Sequence, residues 1–310
     1  MRPFFSVLVA LVLVQAALAL NLRPVIGILA KPASDDPTPQ TSVISASYVK
    51  WLEAGGARIL VIPYDATHDR LDSIFSQING IFFTGGGLSL DVGTTYWETA
   101  NYLFQKAIQA TNNGDYFPLF GTCMGFQLLN ILASTNHSIL SFGFDSYNLP
   151  LPLEFTPETA TSRMLGKATT PADVLTTLST KPVTINWHHY GITPDDFYND
   201  RVLPGFYRVL ATNADTQGRR FISMVEGRKY PVYGLQWHAE RNQYEWGTGE
   251  KLDHSVEAVR AVEWVVNYFV QDCRQSGHQL GADLEKTLLI YNFAPTYSDG
   301  SLTYSFPASL

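Results

Sequence analysis

Apolar positions along this chain fall in short unbroken runs, separated by longer stretches where they recur every three or four residues. The runs at 24–29 (PVIGIL), 58–63 (RILVIP) and 80–83 (GIFF) lack strict polar alternation, as do strands buried on both faces. Residues 45–54 have helical spacing and stop at Gly55-Gly56, and residues 254–272 predict a long amphipathic helix. Strands alternating with helical segments of this length imply right-handed crossovers and an α/β fold: a mostly parallel central sheet with helices on both faces. Residues 117–120 supply the fourth strand and residues 230–237 (YPVYGLQW) the last. Residues 31–42 read as a polar loop. Between 140 and 220, prolines at 150, 152, 157, 171 and 182 break the pattern, which predicts short antiparallel strands and loops at the rim of a pocket. The segment 288–293 (LLIYNF) reads as an edge strand.

The fourth strand breaks at Gly121-Thr122-Cys123-Met124-Gly125, after which helical spacing begins. A sharp strand-to-helix turn crowds the residue at its apex, and glycines two positions to either side relieve the crowding. This is the build of a nucleophile elbow with Cys123 at its apex. A sulfur there faces the free N–H groups and the dipole of the following helix, which favour the thiolate. In a parallel sheet the working groups gather at the carboxyl ends of strands, where Cys123 lies. The third strand runs into Thr84-Gly85-Gly86-Gly87, a loop able to turn backbone N–H groups into a shared cleft. The amide of Met124 and one from Gly86 or Gly87 are the candidate oxyanion donors. The last strand delivers His238-Ala239-Glu240, so an imidazole and a carboxylate join the thiol as a candidate triad. Val183 to Gly191 ends another strand in His188-His189.

Composition narrows the class further. One early positive charge, an apolar run and Ala17-Leu18-Ala19 read as a secretory signal peptide over residues 1–19, leaving a single domain over 20–310. Removing Arg2 changes 21 basic against 28 acidic residues into 20 against 28, a net charge of −8. That balance argues against nucleic acid or an anionic membrane surface as partner. No later window is apolar enough to span a bilayer. Cys273 falls in step with Val259, Val262, Val266 and Phe269 on the buried stripe of the long helix, so it reads as a core thiol and Cys123 as free. The seven His and two Cys show no metal-ligand spacing, and no cofactor is expected. Asn136-His137-Ser138 is a sequon, which makes Asn136 a candidate glycosylation site.

The strings GTCMGFQLL, FFTGGG and YGLQWHAE resemble the elbow, oxyanion loop and His-x-Glu motif of class I glutamine amidotransferase-like hydrolases. More closely, SASYVKWLEAGGARILVIPYD, GDYFPLFGTCMGF, LPLEFTPETATSRM, FISMVEGRKYPVYGLQWHAERNQYEW and LLIYNFAP resemble the γ-glutamyl hydrolase family, from about residue 24 to 295. The resemblance implies an enzyme that removes γ-linked glutamates from small-molecule folate and antifolate polyglutamates. It implies Cys123 as nucleophile, His238 as acid/base partner, Glu240 as the acid of the family's His-Pro-Glu motif, and His188 in substrate positioning. Ala239 departs from the proline that the family has between them. The resemblance also implies a metal-independent homodimer, secreted or held in lysosomes or vacuoles. Two rivals stand beside this reading. One is a glutamine amidotransferase-type glutaminase, which would need an acceptor domain. The other is an inactive secreted binding protein of the same fold.

Overall fold

A computed structural model of the chain describes residues 20–35, 41–308 and 310. The expected signal peptide lies outside the described residues. Eight strands form the central sheet in the order Arg58–Ile62, Val25–Leu29, Gly80–Phe83, Leu119–Thr122, Val232–Leu235, Arg220–Gly227, Tyr207–Ala214, Glu154–Phe155. The first five are mutually parallel. The last three pair antiparallel.

The unbroken apolar runs are explained by burial on both faces. Ile26, Ile28, Phe82, Phe120, Tyr233 and Leu235 pack under Trp51 of helix Ala46–Ala54 and under Val262, Val266 and Phe269 of helix Val256–Cys273. Their neighbours Val25, Leu29, Ile81, Phe83 and Leu119 point the other way, under helices His68–Phe75, Thr95–Asn112 and Met124–Ala133. Cys273 is a buried core thiol on its helix, and neither cysteine is in a disulfide. Among the described residues, no helix is long and apolar enough to cross a membrane.

Three segments differ from expectation. Residues 31–42 are not simply a loop: Lys31–Pro32 and Ser42–Ser45 pair antiparallel, and Ser42–Ser45 also pairs with Ser301–Phe306 of a C-terminal hairpin. The partner comes from the far end of the chain, so local pattern could not reveal it. Segment 288–293 is not an edge strand; its core is the 3-10 turn Ile290–Asn292. It meets the sheet edge only where the Leu288 carbonyl accepts from Val61 and Leu289 bridges Leu60. The proline-broken region is antiparallel as expected, but Ser141–Leu151 is eleven residues long and pairs with Thr184–Gly191. Two register shifts, with Asn148 at φ 51°, bend that ribbon over the carboxyl end of the sheet.

Candidate active site

The chain turns at Cys123 with φ 53° and ψ −110°, a conformation that ordinary side chains avoid. Two contacts force the flanking glycines. A Cβ on Gly125 would lie 2.1 Å from the Phe83 carbonyl oxygen, and one on Gly121 would lie 2.4 Å from the Gly125 carbonyl oxygen. The Cys123 N–H donates to the Leu235 carbonyl at 2.7 Å, which ties the elbow to the last parallel strand. The Cys123 carbonyl accepts the first bond of helix Met124–Ala133, from Gln127 at 3.0 Å. The N–H groups of the first turn, Met124 among them, therefore have no partner within their own helix. The sulfur is 3.9 Å from the Trp187 carbonyl oxygen.

His238 arrives where Val232–Leu235 ends, and its N–H donates to the Ile185 carbonyl at 2.9 Å. Its Nδ1 lies 2.7 Å from Oε1 of Glu240, which is buried. The Tyr48 hydroxyl sits 3.4 Å from the same nitrogen and accepts from the Gly85 N–H at 2.9 Å. Burial works against a charged His238, but the negative charges of Glu240 and Cys123 outweigh it and raise its pKa from 6.5 to about 10. Tyr48 is pushed well above the usual phenol range, first by burial and then by Glu240, so it stays neutral. Glu240 fixes the Nδ1 side of the ring and leaves Nε2 for proton transfer.

Cys123, His238 and Glu240 line one open cleft of about 380 Å³ together with Lys31, Tyr48, Gly85, Gly86, Trp187 and Arg241. The Gly85 N–H is taken by Tyr48, whereas the Gly86 N–H has no hydrogen-bond partner among the described residues. Gly86 lines the cleft, and Gly87 does not. A buried thiol beside a cationic imidazole, with free backbone N–H groups at hand, can attack a carbonyl and hold the oxyanion that results.

Residues 24–240 match the peptidase C26 family. The chain is 36% identical over 305 residues to gamma-glutamyl hydrolase B of Dictyostelium discoideum, covering 96% of this chain and 87% of that relative. It is 37% identical over 279 residues to the gamma-glutamyl hydrolase of Bos taurus and 36% identical over 279 residues to that of Homo sapiens, covering in each case 89% of this chain and 86% of the relative.

The chain belongs to the peptidase C26 family.

As a C26 protein it is a cysteine-dependent hydrolase. Ala239 joins His238 to Glu240 at the position where the resembled family has proline. The residue is fully buried, His238 is pinned by Ile185, and Glu240 begins the helical turn Arg241–Tyr244. His188 lies apart from the cleft lining: its ring packs edge-on to Phe221, centroids 4.8 Å apart, and its Nδ1 is 2.9 Å from the Tyr190 carbonyl oxygen. Burial lowers its pKa to about 3, so the ring is neutral, with Nδ1–H donating to Tyr190. Its buried Nε2 has no partner among the described residues. Asn136 is exposed in the turn after the elbow helix.

Among the cleft residues that sequence reading left without a role are Tyr48 and Lys31, and Gly85, placed there in the glycine loop, has a role that pattern did not give it. A Cβ on Gly85 would lie 2.5 Å from the Tyr48 oxygen and 2.9 Å from His238 Cε1, so the first glycine of the loop is required by close approach. Tyr48 occurs within a helix pattern that explains it as core. Lys31 falls in what read as a polar loop. Neither Tyr48 nor Lys31 carries a local signal, because each acts through a neighbour distant in the chain.

Proposed function

We propose that this protein hydrolyses γ-glutamyl amide bonds of folate and antifolate poly-γ-glutamates through a γ-glutamyl thioester on Cys123. The observation that carries the reading is the strained Cys123 elbow sharing a cleft with the His238–Glu240 pair. The Cys123 thiolate attacks the γ-carbonyl carbon, and the N–H groups of Met124 and Gly86 hold the oxyanion. When the tetrahedral adduct collapses, His238 Nε2–H protonates the departing amine. The neutral imidazole then takes a proton from water, the hydroxide attacks the thioester, and the sulfur leaves as thiolate with the free γ-carboxylic acid as product. Glu240 holds the ring and balances its charge throughout. His188, neutral and behind the cleft wall, supports the substrate-bearing strand Thr184–Gly191.

We extend the same reading to a metal-independent homodimer that enters the secretory pathway, is secreted or retained in a lysosome or vacuole, and carries a glycan on Asn136. The apolar leader at 1–19 and the exposed sequon support the secretory route and the glycan, and the dimer and metal independence rest on the family resemblance. Incubation with pteroylpentaglutamate, with product lengths followed by chromatography, tests the activity. Shortened pteroylglutamates that disappear with Cys123→Ala are expected, and an unshortened substrate refutes the assignment. Release of ammonia from free glutamine at a comparable rate would favour the glutaminase reading instead.

A further inference from the structure

The cleft holds two basic side chains besides His238, and their surroundings differ. Arg241 lies over the Trp187 ring at 4.3 Å and pairs with both Glu245 and Glu250, so its charge is already balanced. Glu245 also accepts from the Ser47 hydroxyl at 2.7 Å, and Glu240 is engaged by His238. Lys31 has neither an ion pair nor a hydrogen-bonded partner for its side chain among the described residues, yet it is partly buried in the cleft wall. Burial pushes its ammonium below the ordinary lysine range.

The stem of Lys31 lies across Gly86. A Cβ placed on Gly86 would be 3.0 Å from Lys31 Cδ and 3.2 Å from Cε, so the ammonium lies just beyond the proposed oxyanion donor. An uncompensated cation held partly out of water is unfavourable in the free protein, and such a cost persists where a ligand supplies the missing anion. The proposed substrate carries such an anion close to its reacting carbonyl. In an extended glutamyl unit the α-carboxylate carbon is four bonds, about 5 Å, from the γ-carbonyl carbon that Cys123 attacks.

We propose that Lys31 is a specificity-determining residue that receives the α-carboxylate of the glutamyl unit being attacked. The proposal rests on the hydrolase reading above and gives it a chemical basis for choosing γ-glutamyl over other amides. An amide whose acyl chain lacks a carboxylate at that distance leaves Lys31 unpaired in the Michaelis complex.

The test compares two chromogenic substrates, L-γ-glutamyl-p-nitroanilide and its α-carboxamide analogue, on wild-type protein and on Lys31→Met. Methionine keeps the apolar stem and removes the charge. Wild-type protein is expected to prefer the free carboxylate by about 30- to 100-fold in kcat/KM, the scale of a charge pair with one partner deleted. In Lys31→Met that preference collapses to within about threefold, through a higher KM for the carboxylate substrate with little change for the carboxamide. Two controls read the scaffold: Cys123 alkylation by neutral iodoacetamide stays at the wild-type rate, and Tm does not fall. A Lys31→Met variant that retains the wild-type preference overturns the proposal. So does an equal loss on both substrates, which would mark Lys31 as structural. Wild-type protein that cleaves neither anilide nor pteroylpentaglutamate overturns the hydrolase reading itself and the proposal with it.

Discussion

Glu240→Gln isolates the electrostatic basis of the site, because glutamine keeps the shape and an oxygen for Nδ1–H while removing the charge 2.7 Å from His238. Raising His238 from 6.5 to about 10 corresponds to a net bias of about 5 kcal/mol toward imidazolium, at roughly 1.36 kcal/mol per pH unit. Burial opposes that bias, so the charges of Glu240 and Cys123 together supply more than the net figure. If Glu240 supplies roughly half of that bias or more, its loss lowers kcat/KM on the order of 100-fold. The expected loss near neutral pH is therefore about 100-fold. The pH profile gives the sign. His238 is cationic below its raised pKa, so in the wild-type enzyme the alkaline limb lies near pH 10. In Glu240→Gln that limb moves down by about two pH units or more, in the direction of the ordinary histidine value. Stability follows the same linkage: stabilisation of a group with a raised folded pKa is fully present below about 6.5 and is lost as pH rises through about 10. The Tm gap between wild type and variant is thus widest in acid and narrows toward pH 10. The measurement is kcat/KM on a γ-glutamyl anilide from pH 4 to 10.5, with Tm across the same range. An unmoved alkaline limb together with kcat/KM within threefold of wild type would refute the charge argument.

Other outcomes follow from the geometry. Cys123→Ala abolishes turnover while near-UV circular dichroism and Tm stay close to wild type, since only the sulfur is removed and the elbow glycines remain; residual turnover above the uncatalysed rate speaks against a cysteine nucleophile. Gly85→Ala drives a methyl into Tyr48 and His238, and is expected to lower stability by about 1–3 kcal/mol and kcat/KM by at least tenfold, read by urea unfolding and steady-state kinetics. His188→Asn removes a buried ring that is neutral at every working pH, so activity falls without being abolished and the shape of the pH profile is unchanged; a new ionisation in that profile would contradict the neutral assignment. Treatment of protein from a eukaryotic secretory host with an N-glycosidase should increase gel mobility, and Asn136→Gln should remove the shift. Equal mobility before and after counts against glycosylation.

The parallel half of the sheet was legible because its strands are buried on both faces and therefore read as continuous apolar runs. The elbow was legible because the turn forces glycine at two fixed positions around Cys123, and the contacts at 2.1 and 2.4 Å show how little room there is. His238 and Glu240 were legible as groups delivered by the end of an apolar strand. The tail at 288–293 misled because apolar side chains packed against a sheet edge share their composition with a strand, although one bridge and one hydrogen bond are all that tie it there. Lys31 was hidden because two residues of strand, completed by pairing with Ser42–Ser45, have no periodicity to detect.

Taken alone, the order of residues determined which strands are buried, where the chain must turn sharply, and which thiol, imidazole and carboxylate stand at strand ends. Each of these follows from a local demand: apolar continuity, missing Cβ atoms, or position within an element. Only the tertiary structure decided that Tyr48 caps the Gly85 amide, that Gly86 rather than Gly87 lines the cleft, and that His188 turns into the core. It alone brought Lys31, without a side-chain partner among the described residues, into the cleft wall against Gly86. Those relations join residues tens of positions apart, and the charge on His238 depends on Cys123, far away in the chain, as well as on Glu240, so no local pattern encodes it.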